Sequence, residues 1–474
     1  GAAYLTLSSI LSRVIALLSF SILTHLLMPS AYGVAALATS LASLLAIFGV
    51  AGQDTSLTRN YHNDEEFDSG TIARFFEQFG ILSGFVFGLV GMLCWFGYNG
   101  WVFERKTLVV CGILALTIWG TVVSIFRMTV ARLNFSFGRL SIVRILASVV
   151  GVALSIGVAV SGQTNEIAIL VVGLTSWFVV ALLPKSKRRQ GDEAKSLADF
   201  SRLVRVGLPM IFTATGFWII ASLDRWFLSS YADLESVGIY SIGVTIGTLG
   251  QMVTSSLVSV WNPAVFSNFK GKDLNNKDSL SHILTVFLWI LMTTWVGISI
   301  FGGLLIQFLA PAEFHSAIAF VPWIGLAYMI YGFGQMFGFG FLMHRKTVIL
   351  AWFWGIAVIV SLALNFTLVP HQKIEGAIVA QLAAFTVLTT LTWVIGRQWT
   401  PIQPCWPALL TVFVIYIIAI FAMSQVTATG ALFLDVLISI AAVGGSILIS
   451  GWVVVRNIGI SSLSDLRSIL KQKN

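Results

Sequence analysis

The sequence predicts an all-α integral membrane protein with about fourteen transmembrane helices, and three observations predict it. Hydrophobic residues fill 57% of the 474 positions and charged residues only 10%. A soluble domain carries about 25% charged residues, so lipid must be the solvent for most of this surface. The apolar residues form continuous runs of helix-spanning length, about 20 residues each, and do not alternate as in a barrel strand. The connections are short, and the longest, 184–202, is too small for a further domain.

The expected spans are 3–28, 33–58, 73–98, 107–130, 140–161, 166–184, 203–229, 237–264, 280–309, 317–343, 348–369, 376–396, 407–424 and 430–454. The first residue is Gly1, not methionine, and the start is expected to lie a few residues into the protein. The first run is too long for a signal-peptide core and reads as an uncleaved helix. Cys94, Cys111 and Cys405 lie far apart, which predicts neither a disulfide framework nor a metal site.

Basic residues set the expected orientation, because cytoplasmic loops carry the excess of Lys and Arg. With the first end inside, most of the 28 Lys and Arg fall on the cytoplasmic side, including the run from Lys185 to Arg189. Only Arg105, Lys106 and Lys373 fall in outer connections. Both termini are then cytoplasmic. The net charge of +8 is mostly a matter of topology. Nucleic acid is not an expected partner, because the basic residues are scattered over many short loops.

An internal repeat is legible. The stretch from Tyr32 aligns without gaps with the stretch from Val237, so that Gly33 falls on Gly238, 205 positions on. Six helices separate the two positions, an even number, so the halves would be parallel repeats around a central cavity. This divides the chain into a six-helix lobe at 1–184, a cytoplasmic linker at 185–202, a second six-helix lobe at 203–396, and helices 13 and 14 with a tail at 397–474.

The corner LLMPSAYG, Leu26 to Gly33, resembles the Leu-x-Pro-x-x-Tyr-Gly turn after the first helix of polysaccharide flippases. The segment Ala221 to Gly243 resembles the matching turn between helices 7 and 8. The chain thus resembles the lipid-linked oligosaccharide flippases, of O-antigen type, of the multidrug/oligosaccharidyl-lipid/polysaccharide superfamily. Where that family often carries a basic residue before the turn, His25 stands here. The resemblance implies a bacterial inner-membrane protein that moves undecaprenyl-pyrophosphate-linked oligosaccharide to the periplasmic leaflet by alternating access. It also implies membrane lipids as surroundings, and the polysaccharide polymerase and chain-length machinery as partners.

Ionisable residues inside the hydrocarbon are costly and usually face a cavity or a partner. Arg13 lies ten residues into the first run, about 15 Å deep at 1.5 Å per residue. Ser8, Ser9 and Ser12 precede it. Guanidinium holds phosphate oxygens bidentately, so Arg13 is the first candidate for the pyrophosphate, set against a buried ion pair or a snorkelling side chain. Arg127 and Arg144 are candidates for a basic inner vestibule, set against headgroup anchoring. Arg225 is a further substrate-binding candidate in the second lobe, set equally against an interfacial structural role. Asp54 and Asp224 are the candidates for ion coupling, and Asp54 reads equally as the ion partner of Arg13 or as a helix-end cap. Asn262, Gln335, Asn365 and Gln381 suit either sugar hydroxyls or interhelical hydrogen bonds. Trp218 is a candidate to stack on a sugar ring.

No phosphate-loop, HExxH or GxSxG pattern occurs, and no cofactor or catalytic residue is expected. The alternatives are a multidrug/cation antiporter or a lipid II flippase of the same superfamily. A membrane polymerase or ligase would need a large outer loop.

Overall fold

A computed structural model describes residues 8, 11, 12, 15, 20–62, 68–101, 103–162, 165–184, 203–204, 207–270, 273–274, 277–344, 346–399, 402–426 and 432–458. The described chain is helical. Its only regular non-helical element is an antiparallel pair of two-residue strands, Phe269–Lys270 and Asp273–Leu274.

Local chemistry explains where several helices begin and break. Helix α1 (Pro29–Val50) starts on a proline, which fits the first turn because its missing N–H would have no partner there. Met28 before it is extended, as a residue preceding proline prefers. The helix stops at Ala51 and Gly52, both left-handed, and resumes as α2 (Gln53–Asn60). The expected span 33–58 is thus two helices. Gly52 serves this break twice: it accepts the positive φ, and a Cβ there would collide with the carbonyl oxygen of Gly207.

Helix α3 (Ser69–Tyr98) is capped by Asp68, whose side chain accepts from the Gly70 N–H at 3.1 Å. It packs along α4 (Arg105–Leu133) through a stripe of Gly80, Gly84, Gly88 and Gly91. A Cβ at Gly88 would lie 2.8 Å from the Ala115 carbonyl oxygen, so the two backbones are nearly in contact. This is how helices associate in lipid, where burial of apolar surface gives no drive between them. Helix α5 (Phe137–Val160) follows. The expected span 166–184 is α6 (Asn165–Leu170), a 3₁₀ turn (Val171–Leu174) and α7 (Thr175–Leu182).

Beyond the linker, the span expected at 203–229 breaks at Leu223 into α8 (Pro209–Ser222) and α9 (Asp224–Tyr231). The next breaks at Thr248 into α10 (Leu234–Gly247) and α11 (Leu249–Asn268). Helix α12 (Lys277–Leu309) is continuous over 33 residues. A 3₁₀ helix (Ala312–Ala319) then bends by 48° into α13 (Val321–Phe337) and α14 (Phe339–Met343). Helix α15 (Thr347–Gly396) runs for 50 residues, about 75 Å at 1.5 Å per residue if straight, against a hydrocarbon core of about 30 Å. It is broken at Lys373, with φ 46°, and contains Pro370, which is where the two expected spans 348–369 and 376–396 meet. Helices α16 (Trp406–Val426) and α17 (Leu432–Ile458) close the described chain.

Nine described helices, or ten with the bent pair taken as one span, are long and apolar enough to cross a membrane. The number differs from fourteen for local reasons. Half of the first expected span lies outside the described residues, α15 counts once, and the segments 165–182 and 209–231 are interrupted. Large apolar side chains project outward, such as Leu448 at 75% exposure and Trp352 at 71%. Such surfaces belong in lipid, and the chain is a multi-pass membrane protein.

The chain forms two compact units, one of residues 1–238 with 309–311, the other of 239–308 with 312–474. Phe76, Phe126, Ile72 and Leu57 are at the core of the first. Within it Gly33 and Gly238 face each other, and a Cβ on either would lie 3.2 Å from the other's nitrogen. Two indoles tie α8 and α9 to α1. Trp218 donates to the Ser40 carbonyl (3.0 Å) and the Ser43 hydroxyl (2.9 Å), and Trp226 donates to the Ser40 hydroxyl (2.9 Å).

The second unit is built on α12, against which Leu409, Val412 and Tyr416 of α16 and Val443 of α17 are buried. Tyr416 hydrogen-bonds both Ser450 of α17 and Thr293 of α12 at 2.7 Å, and Trp289 donates to Ser450 at 3.0 Å. A polar knot therefore joins three apolar helices, with each hydroxyl satisfied. Lys346 lies over the Trp399 ring (4.8 Å) and Arg397 over Trp393 (5.6 Å), pairing cations with aromatic rings at helix ends.

Candidate functional site

The ionisable residues singled out in the sequence are distributed as follows. Arg13 lies outside the described residues. Arg127 is buried between α3, α4 and the end of α7. Its Nε donates to Glu77 Oε1 at 2.8 Å, and a terminal nitrogen meets the same oxygen at 2.6 Å. The other terminal nitrogen donates to the carbonyl oxygens of Val180 and Leu183. Arg139 donates to the Leu182 carbonyl at 2.8 Å. Two guanidiniums thus cap the carbonyl end of α7, where the helix dipole favours cations. A vestibule role for Arg127 would require this closed pair to open. Glu77 was not singled out in the sequence: it lies 50 positions from its partner, and only the packing of α3 on α4 brings them together.

Arg144 is exposed on α5, four residues before Ser148, whose hydroxyl donates to its carbonyl. Asp54 is half-buried in the first turn of α2, where a carboxylate meets the positive end of the helix dipole. Among the described residues it forms no ion pair. Its surroundings are held firmly: Gln53 donates to the carbonyls of Ala51 and Val204, both at 3.0 Å, and the Ser56 hydroxyl donates to Leu203 at 2.6 Å. The break after α1 is therefore pinned to the segment that precedes α8.

Asp224 is buried at the start of α9, and its carboxylate accepts from the Arg225 backbone N–H at 2.8 Å. The Arg225 side chain is half-buried, and its Nε has no hydrogen-bond partner among the described residues. Both sit beside the Trp226–Ser40 bond to α1. Trp218 does not present a free face for a sugar: it is buried and its N–H is spent on α1. Of the neutral candidates, Asn365 is buried and bonded to Ser361 within its own helix (2.8 Å), and Gln381 is buried. Asn262 and Gln335 line one cavity in the second unit. Among the described residues no cluster of His, Cys, Asp and Glu is arranged to hold a metal.

These features define a class: a multi-pass helical membrane protein with a buried Arg127–Glu77 ion pair and interrupted spans. The family model "Polysaccharide biosynthesis protein" matches residues 1–269, and the chain belongs to that family. No curated protein matches it in sequence. Among solved structures it is similar to a lipid II flippase MurJ in an inward closed conformation, at 15% identity and a TM-score of 0.72, covering 96% of this chain and 99% of that one. It is also similar to an inward-facing multidrug resistance MATE transporter (15%, TM-score 0.61, 81% and 94%). A transporter from Pyrococcus furiosus, for which a binding pocket of reversed polarity is described, matches at 16% with a TM-score of 0.57 over 84% and 93%. The chain therefore has the fold of the multidrug/oligosaccharidyl-lipid/polysaccharide superfamily.

Proposed function

We propose that this protein is a flippase. It carries undecaprenyl-pyrophosphate-linked oligosaccharide from the cytoplasmic to the periplasmic leaflet of a bacterial inner membrane, with both termini cytoplasmic. The observation that carries the reading is the conjunction of a polysaccharide-biosynthesis family match with a fold shared along almost the whole chain with a lipid flippase. The two lobes, 1–184 and 203–396, alternate access around a central cavity. The meeting of Gly33 and Gly238, the positions that the repeat aligns, supports a two-fold relation between the starts of α1 and α10.

Arg13, Arg144 and Arg225 are the cations that meet the pyrophosphate on its way, through bidentate guanidinium contacts. Asp54 and Asp224 couple the cycle to an ion gradient. Arg127 braces the first unit through Glu77. No ATP is bound by this chain. Periplasmic polymerase and chain-length machinery receive the delivered unit.

The test is deletion of the gene followed by mass spectrometry of the lipid-linked intermediates that accumulate. A sugar-bearing undecaprenyl pyrophosphate on the cytoplasmic side, cleared by the restored gene, is the expected result. Accumulation of lipid II instead would make the protein a lipid II flippase, and accumulation of neither would refute the reading.

A further inference from the structure

The second unit contains an open cavity of about 70 Å³. It is lined by Asn262 of α11, Gln335 at the end of α13, Gly338, and Trp354 and Thr392 of α15. Among the described residues, no Asp, Glu, Lys, Arg or His lines it. Thr392 turns its hydroxyl back to the Leu388 carbonyl at 2.6 Å. The two carboxamides are different. Both are half-buried, their polar atoms stay accessible, and neither has a hydrogen-bond partner among the described residues.

That is an unusual state for amides in apolar helices. Polar side chains in such helices normally bond across to a neighbour, because an unmade hydrogen bond costs free energy away from water. Asn365 shows the ordinary solution in this same unit, bonding the Ser361 carbonyl. Asn262 and Gln335 instead line one space, and between them carry four N–H donors and two carbonyl acceptors. Vicinal hydroxyls, each both donor and acceptor, match that set. Trp354, with Val258, Leu350 and Leu388, supplies the apolar wall that the C–H face of a pyranose needs. The absence of charge on the lining offers nothing to a pyrophosphate or a drug cation.

The placement also fits. The lining gathers where α11 and α13 end, near the start of α15 and again near its end. These ends adjoin connections carrying Lys270, Lys277, Arg345, Lys346 and Arg397. In the proposed orientation they face the cytoplasm, where the lipid-linked sugar would be loaded.

We propose that this cavity is a subsite for an uncharged sugar residue of the substrate, separate from the arginines that meet the pyrophosphate. The assignment rests on the flippase reading. Its test uses two probes: the sugar-bearing lipid that accumulates in cells lacking this protein, and undecaprenyl pyrophosphate without sugar. Binding of each to the full chain in nanodiscs is measured by native mass spectrometry.

The wild type holds the sugar-bearing lipid at least tenfold more tightly. The double variant Asn262→Ala with Gln335→Ala weakens that binding about ten- to a hundredfold, from two or more lost hydrogen bonds, and leaves undecaprenyl pyrophosphate binding unchanged. Gly338→Leu does the same by filling the cavity; a Cβ at Gly338 has its nearest neighbour at 3.4 Å, an ordinary van der Waals contact. If both variants keep the wild-type preference, or the wild type binds both lipids equally, the subsite is refuted and the flippase reading stands. If the wild type binds neither lipid, the flippase reading falls and takes the subsite with it.

Discussion

Gly33 and Gly238 meet reciprocally: a Cβ on Gly33 would strike the carbonyl oxygen of Leu234, and a Cβ on Gly238 would strike that of Pro29. Leu234 and Pro29 are themselves 205 positions apart, as the glycines are. A contact that repeats itself under one offset is what a two-fold relation between α1 and α10 imposes. Both helices begin at this crossing, so their first turns approach as closely as backbones allow.

Gly33→Ala should therefore push the two helix starts apart and destabilise the protein by about 1–3 kcal/mol, as overpacking does. Gly238→Ala should do the same. The double variant should cost clearly less than the two together, because one separation relieves both collisions. Thermal unfolding of the three variants in detergent measures this. Strict additivity would mean that the two glycines do not share a contact.

The Arg127–Glu77 pair yields a second expectation. Arg127→Met leaves a carboxylate buried without its cation, which costs about 3–5 kcal/mol. Adding Glu77→Gln removes the stranded charge and should recover much of the loss. Membrane abundance and melting temperature report it. A well-folded, abundant Arg127→Met protein that no longer flips substrate would instead make Arg127 a substrate contact.

The positions of the helices were legible because hydropathy alone sets them in a bilayer. Pro29 after an extended Met28, and the pause near Pro370, were readable from residue type. The break at Leu223 was not, since no proline or glycine stands beside it, and the one at Thr248 is marked only by Gly247, one of many glycines in these apolar runs. Arg127 was legible as a vestibule cation or a headgroup anchor, but its burial against Glu77 was hidden because Glu77 is on another helix. Trp218 was misread for the same reason: Ser40 and Ser43, which take its N–H, come from α1. Asn262 and Gln335 were visible as polar residues in apolar runs, while their shared cavity exists only after α11, α13 and α15 pack.

Topology gives a third prediction. On a background lacking Cys94, Cys111 and Cys405, a single cysteine placed within 99–106 should react with a membrane-impermeant thiol reagent added to intact cells. One placed within 185–200 should react only after permeabilisation, because that stretch carries five of the chain's basic residues, Lys185, Lys187, Arg188, Arg189 and Lys195. The reverse pattern would invert the protein, and would put the cavity of Asn262 and Gln335 on the periplasmic side.

The last prediction concerns Arg13. Its sequence depth and its serine neighbours place a permanent charge where an isolated cation costs about 2.5–3.5 kcal/mol to insert. Such a residue is kept for a partner, and the proposed partner is the pyrophosphate as it leaves the inner headgroup layer. Charge is the requirement, so Arg13→Lys should retain part of the flipping rate, though less than guanidinium gives with its bidentate fork. Arg13→Ala should lose most of it, and Arg13→Glu all of it, by repelling the anion. The rates are measured in liposomes, with protein amounts matched, because an arginine that only braced two helices would lower abundance and not rate. Normal flipping by well-expressed Arg13→Ala would move the pyrophosphate contact to Arg144 or Arg225, where the half-buried guanidinium of Arg225 has a free Nε among the described residues.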